Sequence, residues 1–523
     1  VFRKYMRPTK TMASQLKRRP QQTPALSTPL FARLEENLSA IKQTLGNPQD
    51  LIVRPFTIDN ASQACAVVCI DGLVDSDLIN DKVVKHIQLM LPASGKTLPP
   101  PGEEMLTFLL NEVLSTIEVK RETTFEAMYE RVLAGDTALF VDGAAQTILI
   151  DSRGWETRSI DEPVSEGLVR GPREGFTENI RDNTMLVRRR VRDCQLRFDT
   201  MTVGRRSKTD LIIAYMQDIA HPAIVQEVKR RLATIDVDEV EESGFIEQWI
   251  EDDFLSPFPQ CQVTERPDKV ASALFQGRVA ILLDGTPMGL IVPVTLSVML
   301  HSPEDFYERW IVGTLARMLR YIAAFLAVFS PALYVALVTY HPGLIPSDLA
   351  FSIAATREGV PFPAFVEALL MVATMELLQE AGLRLPKPIG QTVGIVGGLV
   401  IGESAVSAGL VSPVMVIVVA LTAIASFAIP AYNLALTFRM IRFGVMFAAA
   451  VFGLYGVVLT FIAIFIHLAN LTSLGVPYLT PFAPQLLHDW KDLVLRAPVT
   501  FMRKRPETAQ PTDDTRMKTG DAP

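Results

Sequence analysis

Residues 319–340, LRYIAAFLAVFSPALYVALVTY, divide this chain in two. After Arg320 the stretch runs 20 residues without a charge, enough helix at ~1.5 Å per residue to cross a hydrocarbon core of ~30 Å. Working outward, the 171 residues from Trp310 to Thr480 carry seven basic and six acidic side chains, while the other 352 carry 94. The positive mean hydropathy of a chain that is 20% charged is therefore the average of two unlike parts. The expected fold is an α/β N-terminal soluble region of two related lobes followed by an all-α transmembrane bundle of four to five apolar segments.

Arg309, Arg317 and Arg320 flank the first span and place the soluble half in the cytoplasm. Four further apolar segments follow, Phe362–Leu378, Pro388–Val411, Pro413–Ile429 and Phe443–His467. Five crossings would leave the tail outside, whereas Lys491, Arg496, Arg503, Lys504 and Arg505 argue for inside. One segment is therefore expected not to cross, and Phe362–Leu378, interrupted by Glu367 and Glu376, is the candidate.

Segment 388–411, PIGQTVGIVGGLVIGESAVSAGLV, is the most informative. At about 100° per residue, Gly390, Gly394, Gly398, Gly402, Ala405 and Gly409 share one face. Small residues at this spacing let membrane helices pack closely. Thr392, Glu403 and Ser407 cluster on the opposite side as pore-lining candidates. A carboxyl at this depth costs about 2.5–3.5 kcal/mol unless it faces protein or water. Two readings stand for Glu403: a pore-lining carboxylate, or one protonated or hydrogen-bonded to a neighbouring helix. SLGVPYLTPFAPQ (473–485) suits the headgroup level, and the residues after Arg505 read as a disordered polar tail.

The soluble half contains a faint internal repeat. GDTALFVDGAAQTILI (135–150) matches GRVAILLDGTPMGLIV (277–292), each an apolar run, an Asp-Gly turn and a second apolar run. Upstream, residues 66–87 and 211–232 each read as strand, carboxylate and helix, with Asp71 and Asp218 as expected helix caps. The domains are a basic arm and amphipathic helix ended by Gly46 (1–46), a first lobe (47–165), a connector (166–190), a second lobe (191–305), the transmembrane domain (306–470) and a cytoplasmic tail (471–523). Arg188, Arg189, Arg190 and Arg192 make a basic cluster on a connector helix. It either bridges the lobes through partners such as Glu178 and Asp182, or contacts anionic lipid.

Several function classes fall away. A net charge of −7 gives no support to nucleic-acid binding. Gly95-Lys96-Thr97 lacks the first glycine of a phosphate loop, since Met90 stands there. HExxH and GxSxG are absent, so no enzyme, cofactor or metal site is expected. Cys65, Cys69, Cys194 and Cys261 form no CxxC pair and read as core thiols of a reducing compartment. The first 30 residues carry no signal-peptide pattern.

The motifs VRGPREGF (169–176), NTMLVRRRVRD (183–193), VGRRSKTDLIIAY (203–215), SPFPQ (256–260), TERPD (264–268), the GRVAILLDGTP hairpin, IGQTVGIVGGLVIG (389–402) and LTSLGVPYLTPFAP (471–484) occur in family order. Over residues 35–490 the chain resembles the A subunit of the GerA-family spore germinant receptors. The resemblance implies a multi-pass subunit of the spore inner membrane, working with a transporter-like B subunit that binds the nutrient and a lipoprotein C subunit. It also implies a homo-oligomeric ring passing monovalent cations. Glu403 departs from the uncharged polar residue expected in the family, which leaves ion preference open. A nutrient-gated cation channel is the leading reading. A non-conducting signalling scaffold is the alternative, with the paralogous stage V sporulation protein AF as a third.

Overall fold

Two eight-residue strands open each half of the α/β region, and the order that follows is the same in both. In this computed structural model, which describes residues 28–517 except 47, 59–62, 91–98, 115–118, 155–161, 164–165, 385–397 and 399, helix α1 (Leu34–Leu45) precedes β1 (Leu51–Ile58) and β2 (Gln63–Ile70). Then come β3 (Val119–Glu122), α2 (Phe125–Val132) and the hairpin β4 (Asp136–Val141)–β5 (Thr147–Asp151). The second half repeats this with α3 (Ile180–Arg190), β6 (Leu196–Val203), β7 (Thr209–Met216), α4 (Pro222–Leu232), α5 (Ser243–Ile250), β8 (Gln262–Thr264), α6 (Pro267–Leu274), β9 (Val279–Leu283) and β10 (Gly289–Val292). The sheets run β1-β2-β4-β5-β3 and β6-β7-β9-β10-β8, antiparallel throughout.

Period-two alternation decides which face meets what. Ala66, Val68 and Ile70 of β2 and Ile212, Ala214 and Met216 of β7 face one shared core, filled from both sides by α1, α2, α3 and α6. Their alternates close two outer cores: Cys65, Val67 and Cys69 under helical residues 76–90 and 103–113, and Leu211, Ile213 and Tyr215 under α4 and α5. All four thiols are buried, and burial pushes those of Cys65, Cys69 and Cys194 up to about 12. They are packing residues rather than nucleophiles.

The helix caps differ from the expectation for Asp71 and Asp218. Asp75 Oδ1 accepts from Asp77 N and Leu78 N, and His221 Nδ1 accepts from Ala223 N, so the cap sits four and three residues later. Asp71 instead turns onto Gly72 N at 3.1 Å. The repeated aspartates that do cap helices are those of the Asp-Gly turns. Asp142 Oδ1 accepts from Leu34 N (2.9 Å) and Asp284 Oδ1 from Ile180 N (3.1 Å), each the first residue of its repeat's opening helix. One turn on, Asn37 brackets Phe31 through both backbone groups, and Asn183 does the same to Thr177.

The C-terminal half is helical: α7 (Trp310–Tyr340), α8 (Ser347–Arg357), α9 (Ala364–Arg384), α10 (Pro413–Phe427) and α11 (Tyr432–Asn470). Among the described residues two helices, α7 and α11, are long and apolar enough to cross a membrane, where four to five segments were expected. Phe443–His467, read as one span, is not one rod. Gly453 has non-helical angles (φ 58°, ψ −141°). Phe438 and His467 both pack on the ring of Phe258, at 6.4 and 5.8 Å. Twenty-nine residues of straight helix would separate them by about 43 Å, so α11 folds back at Gly453.

Residues 506–517 are packed on the protein where a disordered tail was expected. Thr508 and Ala509 are buried, and Thr512 N donates to Ile219 O at 2.8 Å. Residues 473–481 are mostly buried, while Phe482, Pro484 and Gln485 are exposed: Leu474 and Val476 complete the core beneath the second sheet, Tyr478 is buried in the bundle core, and Ser473 Oγ accepts from Val294 N. Leu474, Val476, Tyr478 and Leu479 thus fill the seam between lobe and helices with apolar surface.

Candidate functional site: polar residues of the helical bundle

An apolar bundle must satisfy its charges internally or present them to something polar, and both cases occur here. At the end of the bundle away from the lobes, Glu367 of α9 is fully buried and accepts from Ser412 N (2.6 Å) and Ser412 Oγ (2.5 Å). Ser412 also caps α10 by accepting from Met415 N at 3.3 Å. Its proton is committed to Glu367, so Tyr334 OH, 3.2 Å away on α7, is the donor to Ser412 Oγ. Arg357 of α8 stands 3.6 Å from the other Glu367 oxygen. One serine thus ties together α7, α9 and α10.

Lower in the bundle, Arg442 of α11 donates to Ala327 O (2.6 Å), Ser426 Oγ (2.6 Å) and Glu376 Oε1 (3.1 Å). Pro331 lies inside α7. Having no N–H, it leaves the carbonyl four residues back without its helical donor, and that carbonyl belongs to Ala327. At the joint with the lobes, buried Asp305 accepts from Arg317 (2.9 Å) and Arg320 (2.8 Å), and Arg317 also donates to Asp492 O. Arg317 is therefore an internal ion-pair residue. Glu367 and Glu376, which interrupt an apolar segment, thus have partners on other segments; for Glu376 the arginine beside Phe443 is the signal in the sequence.

The sequence-read pore residues lie elsewhere. Thr392, Gly390 and Gly394 fall outside the described residues, as do Gly95-Lys96-Thr97 and the basic arm up to residue 27. Glu403 and Ser407 stand exposed on helical residues 400–407, with no partner for Glu403 among the described residues. On the small-residue face Gly398 and Gly402 have room, Gly402 lying against Val416, and Ala405 is half-buried. Gly409 does not belong to the helix face. It sits past the last turn at φ +67°, where glycine closes a helix, beside Gly359 O. Arg188 binds Asp50 of the first lobe through Nε (3.0 Å) and Nη2 (2.9 Å). Arg189 and Arg190 pair with Glu174, and Arg192 donates to Arg189 O.

A sequence model described as Bacillus/Clostridium GerA spore germination protein matches residues 39–508. Spore germination protein GerLA of Bacillus cereus is 48% identical over 93% of this chain and 97% of its own length. The chain belongs to the GerA family. Spore germination protein B1 of Bacillus subtilis is 42% identical over 93% of this chain and 99% of its own. The N-terminal domain of the A subunit of the Bacillus megaterium spore germinant receptor GerK3 is 33% identical, covering 51% of this chain and 98% of that one with a TM-score of 0.42. This GerA-family chain thus has its role in spore germination, and among the described residues it carries two helices long and apolar enough to cross a membrane.

Proposed function

We propose that this chain is the conducting subunit of a germinant receptor: copies assemble into a ring, and nutrient binding opens a path for monovalent cations along Thr392, Glu403 and Ser407. The observation that carries the reading is a contrast among carboxylates. Glu367 and Glu376 each meet hydrogen-bond donors and an arginine within the protomer, whereas Glu403 is exposed without a partner among the described residues. Facing lipid, such a group costs about 2.5–3.5 kcal/mol. A ring of copies around a water-filled axis removes that cost and gives the carboxylate a cation to meet.

On this reading the two-lobed region faces the cytoplasm beneath the spore inner membrane. A transporter-like B subunit supplies the nutrient-bound state, and a lipoprotein C subunit completes the receptor. Glu403→Leu and Ser407→Leu are expected to abolish nutrient-triggered potassium release while the protein remains in the membrane at normal abundance. Unchanged release would exclude the path. Flux in liposomes carrying the complete receptor separates the channel from a non-conducting scaffold.

A further inference from the structure

Arg278 lies at the floor of a cavity of about 240 Å³ where α6, residues 298–307 leading to α7, and C-terminal residues 492–516 converge. The side chain is 4% exposed. Its Nη1 donates to Gln262 Oε1 at 3.2 Å, and its Nε and Nη2 have no partner among the described residues. Burial draws its pKa down to about 10, so it stays charged near neutrality. Of the carboxylates in the cavity wall, Asp268 is held by both arms of Arg266 at 3.1 Å and by Tyr307 OH. Asp492 Oδ2 is held by Arg516 at 3.2 Å, while its buried Oδ1 has no hydrogen-bond partner among the described residues and acts on Arg278 through charge alone. A crevice sharing Asp268, Ser272 and Tyr307 continues outward and adds Arg190 and Arg505. Arg190 is paired with Glu174, Arg505 with Asp513 and Lys269 with Glu166, which leaves Arg278 as the lining arginine without an ion pair among the described residues.

The free Nε–Nη2 edge of a guanidinium is the edge that takes a carboxylate or phosphate through two parallel hydrogen bonds. A buried cation with that edge unused, at the end of a crevice open to the outside, is suited to receive an anion. We propose that this cavity binds a small oxyanion, phosphate-like or carboxylate, through Arg278. The occupant would be gripped by the second lobe, by the approach to α7 and by the tail at once. It would sit one residue shell from the Asp305–Arg317 pair on which α7 rests, so its presence stiffens the joint between soluble region and bundle.

The test uses the full chain purified in detergent, with inorganic phosphate titrated at constant ionic strength and the melting temperature as readout. A second arm places the chain in nanodiscs of phosphatidylcholine with or without phosphatidylglycerol. Wild type is expected to show a saturable upward shift. Arg278→Gln, which removes the charge and the guanidinium edge, should raise the apparent dissociation constant at least tenfold. Ser272→Trp, an exposed position on α6 at the cavity wall, should do the same by obstruction and covers the case in which the Arg278 variant fails to fold. Lys85→Gln, exposed in the first lobe, should change nothing. An Arg278-dependent shift in the phosphatidylglycerol arm alone supports the site with a lipid headgroup as its source. No shift in either arm, or a shift that Arg278→Gln and Ser272→Trp leave intact, overturns it.

Discussion

Arg442 Nε donates to the carbonyl of Ala327 at 2.6 Å, taking the place of the backbone N–H that Pro331 lacks. A proline in α7 and an arginine in α11 are thereby one feature, and each explains the other. Arg442→Leu should cost about 3–5 kcal/mol, because it leaves the buried carbonyl without a donor and Glu376 with only its longer contact to Arg439, at 3.8 Å. Pro331→Ala restores the helical donor, so the double variant should be less damaged than the sum of the single losses. Thermal unfolding of the detergent-purified chain measures this cycle, and strict additivity would separate the two residues.

The reversal of α11 rests on Gly453. A side chain there would meet Cβ and Cγ of Tyr340 at 3.0 Å, in a backbone conformation nearly confined to glycine. Gly453→Leu is expected to lower stability by about 1–3 kcal/mol and to shift the chain toward aggregates in size exclusion. Gly444→Ala, with open space around it, should be neutral or stabilising by about 0.5–1 kcal/mol. Equal behaviour of the two variants would mean that the helix does not fold back.

Arg188 and Asp50 join the halves of the α/β region as a buried bidentate pair. Removing either partner leaves the other charge uncompensated, at a cost of about 3–5 kcal/mol. Arg188→Met with Asp50→Leu together should recover most of it. If Arg188→Met alone melts like wild type, the pair does not hold the lobes together.

Glu247 on α5 and Glu251 just beyond it carry a pH dependence. Burial raises both carboxyls from 4.5 to about 7, outweighing the hydrogen bonds from Asn433 and from Gln260 N that favour the charged forms. Between pH 4.5 and about 7 the folded chain holds protons that the unfolded chain has released, so stability falls as pH rises through that window and levels off above it. Glu247→Gln and Glu251→Gln should match wild type at pH 5 and melt higher at pH 8. A lower melting temperature at pH 8 would mean that the ionised carboxylates are stabilising.

Legibility in the sequence followed the range of the interactions. Gly46 ends α1 and the Asp-Gly turns make β4–β5 and β9–β10 because turn and cap chemistry is carried by adjacent residues. The caps from Asp142 and Asp284 were missed because donor and acceptor lie 108 and 104 residues apart. Asp71 and Asp218 sat in the right local pattern, yet the chain needed a few more residues to turn before a helix could start. The tail looked disordered by composition, but its polar residues find partners only on the folded second lobe.

The sequence by itself determined what local pattern and composition can carry: the change at Trp310 from charged to apolar, the strand–turn–strand units, and motifs specific enough to place the chain in the GerA family. The tertiary structure alone decided which carboxylates are satisfied. Glu367, Glu376 and Glu403 are the same kind of residue in similarly apolar surroundings. Only the folding of Ser412 onto α9 and of Arg442 between α7 and α10 separates two structural carboxylates from one that faces outward. A charge in an apolar helix is neutralised by whatever packs against it, and packing partners are set by the fold rather than by the neighbouring sequence.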